Sequence, residues 1–245
     1  MEQLRDYSDD RLVNGCIYCG GLEETREHVP SKVLLESPFP TNLPIMKSCF
    51  NCNNGFSQDE EYVACLIGCM IVGSASPDEI RSPRISRKLH KNPSLRTRIK
   101  NAIRTNDGVV SFLVEEERLD NVITKLAVGH AAYELSKILR HKPTSINWWL
   151  MSDMTEEEKD LYDSVYVTQL LGEIGSRNTQ RLLVTEITYQ ASDGELKTIG
   201  LLIDDWVEVQ NNKYRYHAVE KSDGVTVKII FSEYLACEVF WEHEV

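Results

Sequence analysis

The chain has 245 residues, of which 42% are hydrophobic and 27% are charged, as is typical of a water-soluble globular protein with one large or two modest domains. No stretch approaches the ~20 apolar residues that a membrane-spanning helix needs, and the charged first eleven residues do not resemble a secretory leader. We therefore expect a cytoplasmic protein with no membrane partner. The formal net charge of -11 argues against nucleic acid binding over the surface as a whole, because phosphates repel acidic surfaces.

Two C-x2-C pairs lie in the first quarter of the chain. Such pairs supply the four thiolates of a structural zinc site, and a chain without a secretory signal keeps its thiols reduced. The metal would hold together a segment of roughly 40 residues that has too little apolar surface to fold alone. The sequence thus predicts zinc as a structural cofactor, bound by Cys16, Cys19, Cys49 and Cys52.

Helices are predicted in the middle of the chain. The run Ser57-Gln58-Asp59-Glu60 matches a capping box and predicts a helix over 57–72, which ends at Gly73. The apolar periodicity predicts further helices from Pro93 onward, over about 116–140, and after the capping residue Thr155. A turn at 106–108 leads into a short strand over 109–114.

Positive charge is concentrated in one basic segment, residues 80–106, which has nine Lys and Arg residues and no Asp or Glu. The rest of the chain has 18 basic and 38 acidic residues, so this segment is the natural candidate for phosphate contacts. A solvated face that serves only solubility is the alternative. The predicted nucleic-acid-binding residues are Arg84, Arg87, Lys88, Lys91, Arg96 and Lys100, together with Lys32 nearer the cysteine pairs.

From Val165 onward, β-branched and aromatic residues alternate, and residue pairs suited to tight turns separate the runs. This pattern predicts an antiparallel meander. Its strands are expected at 181–190, at 196–209 with a break at the Asp204-Asp205 pair, at 213–219, at 225–232 and at 236–241. The acidic character of this region suits a protein partner better than nucleic acid.

Further polar residues lie between and just after the cysteine pairs: Glu27-His28-Val29-Pro30, Asn42-Leu43-Pro44, and Asn53 directly after Cys52. Over about 14–62 the chain resembles the HNH endonucleases of the ββα-metal group in their four-cysteine form, and in particular a bacterial subgroup. The resemblance implies a β-hairpin followed by a helix. It also implies that His28 is the general base, that Glu27 and Asn53 bind a catalytic divalent metal, and that Asn42 orients His28.

The same residues suit phosphodiester hydrolysis on chemical grounds. A hard cation such as Mg or Mn prefers oxygen ligands, which Glu27 and an Asn carbonyl supply. His28 titrates near neutrality and can accept the proton of an attacking water. The predicted function is therefore metal-dependent endonuclease activity on DNA, or on RNA.

The predicted fold class is α+β, with three regions that pack as one body. Residues 1–72 form the zinc-stabilised ββα (HNH) module, 73–160 a helical region with the basic segment, and 161–245 a β-rich region of unknown role. Two other functions stay open: a non-catalytic zinc-dependent module that binds nucleic acid or protein, and a partner-activated effector nuclease of a bacterial defence or toxin system. A homodimer would place two single-strand cuts on opposite strands, although nothing in the sequence requires one.

Overall fold

The structure, a computed structural model, describes residues 4–106, 109–168 and 170–243. Helices and antiparallel strands are mixed along the chain, which confirms the α+β class. Within the described stretches, no helix combines the length and the apolar character needed to cross a lipid bilayer. The predicted turn at 106–108 falls largely outside the described residues.

The N-terminal module begins with an antiparallel hairpin of two short strands, β1 (Thr25–His28) and β2 (Ile45–Ser48). Helix α1 (Phe50–Gly55) follows β2 almost at once, and helix α2 (Ser57–Val72) continues from it. The predicted helix over 57–72 is confirmed. It ends at Gly73, whose φ of 70° is a left-handed conformation that glycine adopts at low cost.

The predicted capping box at the start of α2 is wrong. Phe56 keeps a right-handed helical conformation between α1 and α2, so no extended residue precedes the helix. Ser57 Oγ instead donates to the carbonyl of Asn54, and Glu60 turns inward and is buried. The pattern failed because α2 follows α1 directly, and the amide of Glu60 donates to the carbonyl of Phe56 at the junction (2.9 Å).

The middle region contains helices α3 (Pro83–Lys91) and α4 (Pro93–Ala102), the hairpin of β3 (Ile103–Asn106) and β4 (Val109–Phe112), and helix α5 (Glu116–Leu135). Helix α4 is confirmed, with the Asn92 side chain capping it, but α3 was not predicted. Helix α5 ends before the predicted Arg140, because Ser136 adopts a left-handed φ of 56°.

The C-terminal region begins with β5 (Ser145–Leu150), a strand inside the part predicted as helical. Helix α6 (Glu156–Asp163) has the capping box of Thr155 and Glu158, which confirms the predicted start. The elements that follow are β6 (Tyr166–Thr168), α7 (Arg177–Arg181), β7 (Leu183–Gln190), β8 (Leu196–Asp204), β9 (Val207–Gln210), β10 (Tyr214–Glu220), β11 (Gly224–Phe231) and β12 (Leu235–Glu242).

These strands form two sheets instead of one meander. Strands β9 to β12 are a meander as predicted, and β5 joins it at the edge, in the order β5-β12-β11-β10-β9. Strands β7 and β8 are not part of this meander; they form a separate sheet with β6, in the order β6-β8-β7. The break predicted at Asp204-Asp205 is the point where the chain passes from one sheet to the other.

Helix α5 lies at the centre of the main core. It packs against α2 on one side and against β10 and β11 of the larger sheet on another. Residues of all three sequence regions share this core, so they pack as one body. The aromatic side chains of Tyr214, Tyr216 and Trp241 are buried in it, which leaves them unable to stack on bases.

Helix α5 also positions the N-terminal module. Its Gly129 faces Val29, the residue after β1, and a Cβ at position 129 would lie 2.8 Å from Val29 Cγ1. Only glycine allows this approach without a shift of one of the two segments. The small cluster of Ile17, Val29 and Met46 packs there against Ala132 and Tyr133 of the helix.

Candidate functional site

The four predicted zinc ligands converge in the structure. The Sγ atoms of Cys16, Cys19, Cys49 and Cys52 all lie within 4.8 Å of one another. The Cys19 and Cys49 sulfurs are 3.6 Å apart, close to the distance of about 3.8 Å expected for two thiolates on a tetrahedral zinc with Zn–S bonds of about 2.3 Å. The cluster could therefore bind zinc.

Backbone geometry around the cysteines supports this arrangement. Amide groups donate to two of the sulfurs, from Gly21 to Cys19 Sγ and from Cys52 to Cys49 Sγ, at 3.4 Å each. Such donors stabilise thiolates because they place positive partial charge beside sulfur. The first pair is closed by a turn in which Gly20 has a φ of 79°.

Arg140 ties the first cysteine pair to the body of the protein. Its Nη2 donates to the carbonyl oxygens of Cys16 (3.1 Å) and Asn14 (3.4 Å). Arg140 lies in the segment after α5, so the cluster is anchored to the chain that leaves the central helix. The helix predicted over about 116–140 ends at Arg140, and nothing in the sequence indicates that this side chain reaches the first cysteine pair.

Cys65, Cys69 and Cys237 are buried in the main core, away from the four-cysteine cluster. Burial raises the pKa of Cys65 and of Cys69 to about 12, so both remain protonated thiols at neutral pH. They act as small apolar side chains. Among the described residues, the four-cysteine cluster is the one group of three or more His, Cys, Asp or Glu side chains close enough to share a metal ion.

His28 ends β1 and is half-buried, opposite Ile45 of β2. Its strand is continued by the amide of Val29, which donates to the carbonyl of Pro44 (2.9 Å). Burial, together with the nearby Lys32 ammonium, lowers the pKa of His28 below its ordinary value. The imidazole is therefore neutral at pH 7, the form that can accept a proton.

Asn53 and Asn42 lie on either side of the second cysteine pair. Asn53, on α1, donates from Nδ2 to Thr25 Oγ1 of β1 (3.0 Å), and that hydroxyl donates to the carbonyl of Ser48 on β2 (3.2 Å). Both strands of the hairpin are thereby joined to α1. Asn42 precedes β2 and accepts a hydrogen bond from the Thr41 hydroxyl (2.6 Å); its predicted role in orienting His28 stays a prediction.

Glu27 lies on the opposite face of β1 from His28 and is only 4% exposed. Its Oε1 forms an ion pair with Lys125 of α5, whose ammonium also pairs with Glu60 of α2 and donates to Ser31 Oγ (2.8 Å). Burial raises the pKa of Glu27 to about 7, against the opposing effect of the Lys125 charge. Two carboxylates thus share one ammonium inside the protein.

This arrangement limits what Glu27 can do as a metal ligand. Lys125 already contacts Oε1, whereas Oε2 is buried and has no hydrogen bond of normal geometry among the described residues. The buried Tyr18 hydroxyl lies near this carboxylate and helps to lower its pKa by hydrogen bonding. An acceptor atom without a well-placed donor is one that a cation can use. The metal role predicted for Glu27 therefore depends on Oε2 alone.

Sequence reasoning missed Lys125 and Glu60 as parts of this site. A signal was present, because Lys125 is the one charged residue in the run 122–128, where every other residue except Thr124 is apolar. A single charge within the apolar part of a helix indicates a buried ion pair. The partner could not be read from the sequence, since many carboxylates are candidates.

The six predicted nucleic-acid-binding residues of the basic segment fall into two groups. Arg84 and Lys88 hold α3 against the module: Arg84 donates to the carbonyls of Lys32 and Leu35, and Lys88 pairs with Glu61 (2.9 Å). The others are on the outer surface of α3 and α4, with Arg96 half-buried and the rest exposed: Arg87, Lys91, Arg96 and Lys100.

Two places on this surface combine cations with other groups. Lys32 Nζ and Arg84 Cζ lie 5.7 and 5.0 Å from the ring centroid of Phe39, so two cations contact one aromatic ring. Arg96 and Lys100, one turn apart on α4, line a groove of about 380 Å³ opposite the loop 73–77. Each place could contact a phosphate through its cations.

The five other histidines show no metal-ligand spacing in the sequence, and in the structure each is either exposed or buried. His90, His141 and His243 are exposed, and His130 and His217 are buried. His130 lies fully inside the core, where Nε2 and the Tyr214 hydroxyl share a hydrogen bond of 2.8 Å and the ring stacks on Tyr216 with centroids 3.6 Å apart.

We expect His130 to make folding stability fall with acidity. Burial lowers its pKa from 6.5 to about 3, so below pH 6.5 the unfolded chain binds a proton that the folded chain does not. Stability is therefore lost as the pH falls from 6.5 toward 3, by about 1 kcal/mol per pH unit between pH 6 and 4. Urea unfolding at several pH values should show this loss of unfolding free energy in wild type and not in His130→Gln. The assignment would be contradicted if wild type and His130→Gln lost the same free energy as the pH falls, or if the exposed control His90→Gln abolished the loss as well.

Comparison of the chain with protein-family models, with curated proteins and with solved structures gave no match.

Proposed function

We propose that this chain hydrolyses phosphodiester bonds of nucleic acid, with DNA as the favoured substrate and His28 as the general base. The observation that carries the proposal is the hydrogen bond between Asn53 of α1 and Thr25 of β1 (3.0 Å). It joins the strand that ends in His28 to the helix that bears Asn53, beside the four-cysteine cluster. A hairpin followed by a helix is also the order that the resemblance to HNH endonucleases implies.

Two metals belong to this proposal. Zinc in the four-cysteine cluster would be structural, because four protein ligands leave no open position for substrate. A catalytic Mg or Mn ion would be held by Glu27 through Oε2 and by Asn53 through its carbonyl oxygen. When bound, such an ion stabilises negative charge on phosphate oxygens.

The chain's own residues have defined tasks in this reaction. The neutral imidazole of His28 accepts the proton of the attacking water, a step worth roughly 100- to 10,000-fold in rate. Lys32 and Arg84, whose cations both lie over the Phe39 ring, bind the phosphate backbone, and Lys32 is close enough to His28 to lower its pKa. Arg96 and Lys100 extend this contact along α4.

A second candidate is a zinc-stabilised module that binds nucleic acid without cutting it. The contact between Lys125 and Glu27 favours this function, because the ammonium already neutralises the carboxylate that the metal would need. The cations on α3 and α4 would then provide salt-dependent binding by themselves.

Nicking of supercoiled plasmid by the purified protein tests the proposal. We expect cutting with Mg or Mn that EDTA stops, and a rate at least roughly 100-fold lower in His28→Ala. His90→Ala is the matched control, because His90 is an exposed histidine of α3 outside the site, and it should cut at the wild-type rate. The bound zinc of each variant should be measured alongside.

The outcomes separate the two candidates. Equal cutting by wild type and His28→Ala would refute His28 as the base. Plasmid that stays intact, but is bound by a zinc-loaded protein in a salt-sensitive manner, would refute hydrolysis and support the binding module.

A further inference from the structure

The five-stranded sheet has a pocket on the face opposite helix α5. On this outer face, Tyr162 of α6 packs against Ile230 and Ala236, which alternate along their strands with the core residues Ile229 and Cys237. A pocket of about 330 Å³ lies beside α6. Sites for small molecules begin at about 300 Å³, so the volume suits a small ligand and not a folded segment of another protein.

Apolar and aromatic side chains form much of the pocket lining. Trp149 of β5 and Tyr162 of α6 meet there edge to face, with ring centroids 6.1 Å apart. Met154 and Leu161 extend the apolar lining, and the side chains of Trp149 and Leu161 are 39% and 74% exposed. The pocket therefore offers apolar contact to a ligand, together with aromatic surface that attracts cations.

A carboxylate in the pocket is not paired with its neighbour. Glu238 of β12 and Lys228 of β11 are directly opposite in the sheet register, where opposite charges normally pair. The Lys228 ammonium instead donates to the carbonyl of Tyr162 (3.0 Å) and lies 4.8 Å from the centroid of that ring. Among the described residues, no hydrogen bond or close ion pair reaches the half-buried Glu238 carboxylate, so a ligand cation can use it.

The charge of the pocket selects the sign of the ligand. Asp153, Glu158 and Glu238 line it with Lys228, three carboxylates against one ammonium, which leaves a net charge of -2. Helix α6 beside it has five acidic residues and one lysine. Such a surface repels anions and attracts cations. Asp153 and Glu158 are exposed, and Glu158 also caps α6, so Glu238 is the carboxylate best placed to contact a ligand.

We propose that this pocket binds a small organic cation, an amine with an aromatic or alkyl body, whose ammonium group pairs with the Glu238 carboxylate. The apolar body contacts Trp149, Met154 and Leu161, while Lys228 keeps its hydrogen bond to the Tyr162 carbonyl. A phosphate would meet the three carboxylates and be repelled. This inference therefore does not depend on the proposed function.

Isothermal titration calorimetry of the full chain with phenethylamine tests the inference. Phenethyl alcohol is the matched probe, because it has the same body and a neutral hydroxyl in place of the ammonium. We expect a dissociation constant of about 0.1 mM for the amine, and binding at least about 10-fold weaker for the alcohol. Glu238→Gln keeps the shape of the side chain and removes its charge, so it should weaken amine binding about 10-fold or more and leave alcohol binding unchanged.

Glu242→Gln is the control variant, because Glu242 is an exposed residue of the same strand outside the pocket, and it should bind the amine as wild type does. Three results would overturn the inference: no amine binding up to millimolar concentrations, equal binding of the amine and the alcohol, or wild-type amine binding by Glu238→Gln. Circular dichroism should verify that each variant is folded. If Glu238→Gln does not fold, Trp149→Leu on the edge strand β5 should weaken amine binding about 5-fold or more, and wild-type binding by that variant would refute the site.

Discussion

Loss of the metal from the four-cysteine cluster is expected to unfold the part of the N-terminal module around the hairpin β1–β2, whereas α2 is held in the main core. The hairpin β1–β2 has only four residues in each strand, and its own apolar cluster is limited to Ile17, Val29 and Met46 against α5. A structural zinc in such a setting contributes about 10–16 kcal/mol of apparent binding free energy, far more than this small cluster can supply. Cys49→Ser should therefore abolish zinc binding and disorder the strand that carries His28.

Metal content and thermal unfolding measure this expectation. Wild type should contain one zinc per chain, and Cys49→Ser should contain none and lose its cooperative transition or shift it strongly downward. Cys69→Ala is the control, because Cys69 is buried in the main core outside the cluster and should leave the zinc content unchanged. A Cys49→Ser protein with wild-type zinc content and melting temperature would show that the cluster is not a metal site.

Local patterns predicted the parts of this site that depend on short-range geometry. The meeting of the two C-x2-C pairs, whose Cys19 and Cys49 are 30 residues apart, was predicted from zinc chemistry. The turn within each pair and the end of α2 at Gly73 were predicted from local spacing. These features follow from residues within a few positions of one another. They can be read from sequence because backbone geometry fixes them before tertiary packing acts.

Long-range packing determined the parts that sequence reasoning missed. Strand β5 pairs with β12 at the far end of the chain, and its run of six residues gives no sign of that partner. Helix α3 has only Ile85 and Leu89 as buried residues among its basic side chains, which made its apolar stripe too narrow to detect. The same holds for Glu27, whose buried position depends on a lysine of a distant helix.

Replacement of that lysine is the second change for which we expect a large effect. Lys125 is 2% exposed and is paired with Glu27 of β1 and with Glu60 of α2. Lys125→Met would leave two buried carboxylates without a cation, and loss of one partner from a buried ion pair costs about 3–5 kcal/mol. The variant should therefore unfold at a markedly lower urea concentration at pH 7.

Two further variants show whether the charge or the packing of Lys125 is responsible. Lys47→Met removes a lysine whose pair with Glu23 is exposed, and should change stability by less than about 1 kcal/mol. Adding Glu60→Gln to Lys125→Met should restore part of the lost stability, because one uncompensated charge is then removed. If Lys125→Met alone were as stable as wild type, the carboxylates would not need the ammonium, and Glu27 would be as available to a divalent cation as the resemblance to HNH endonucleases implies.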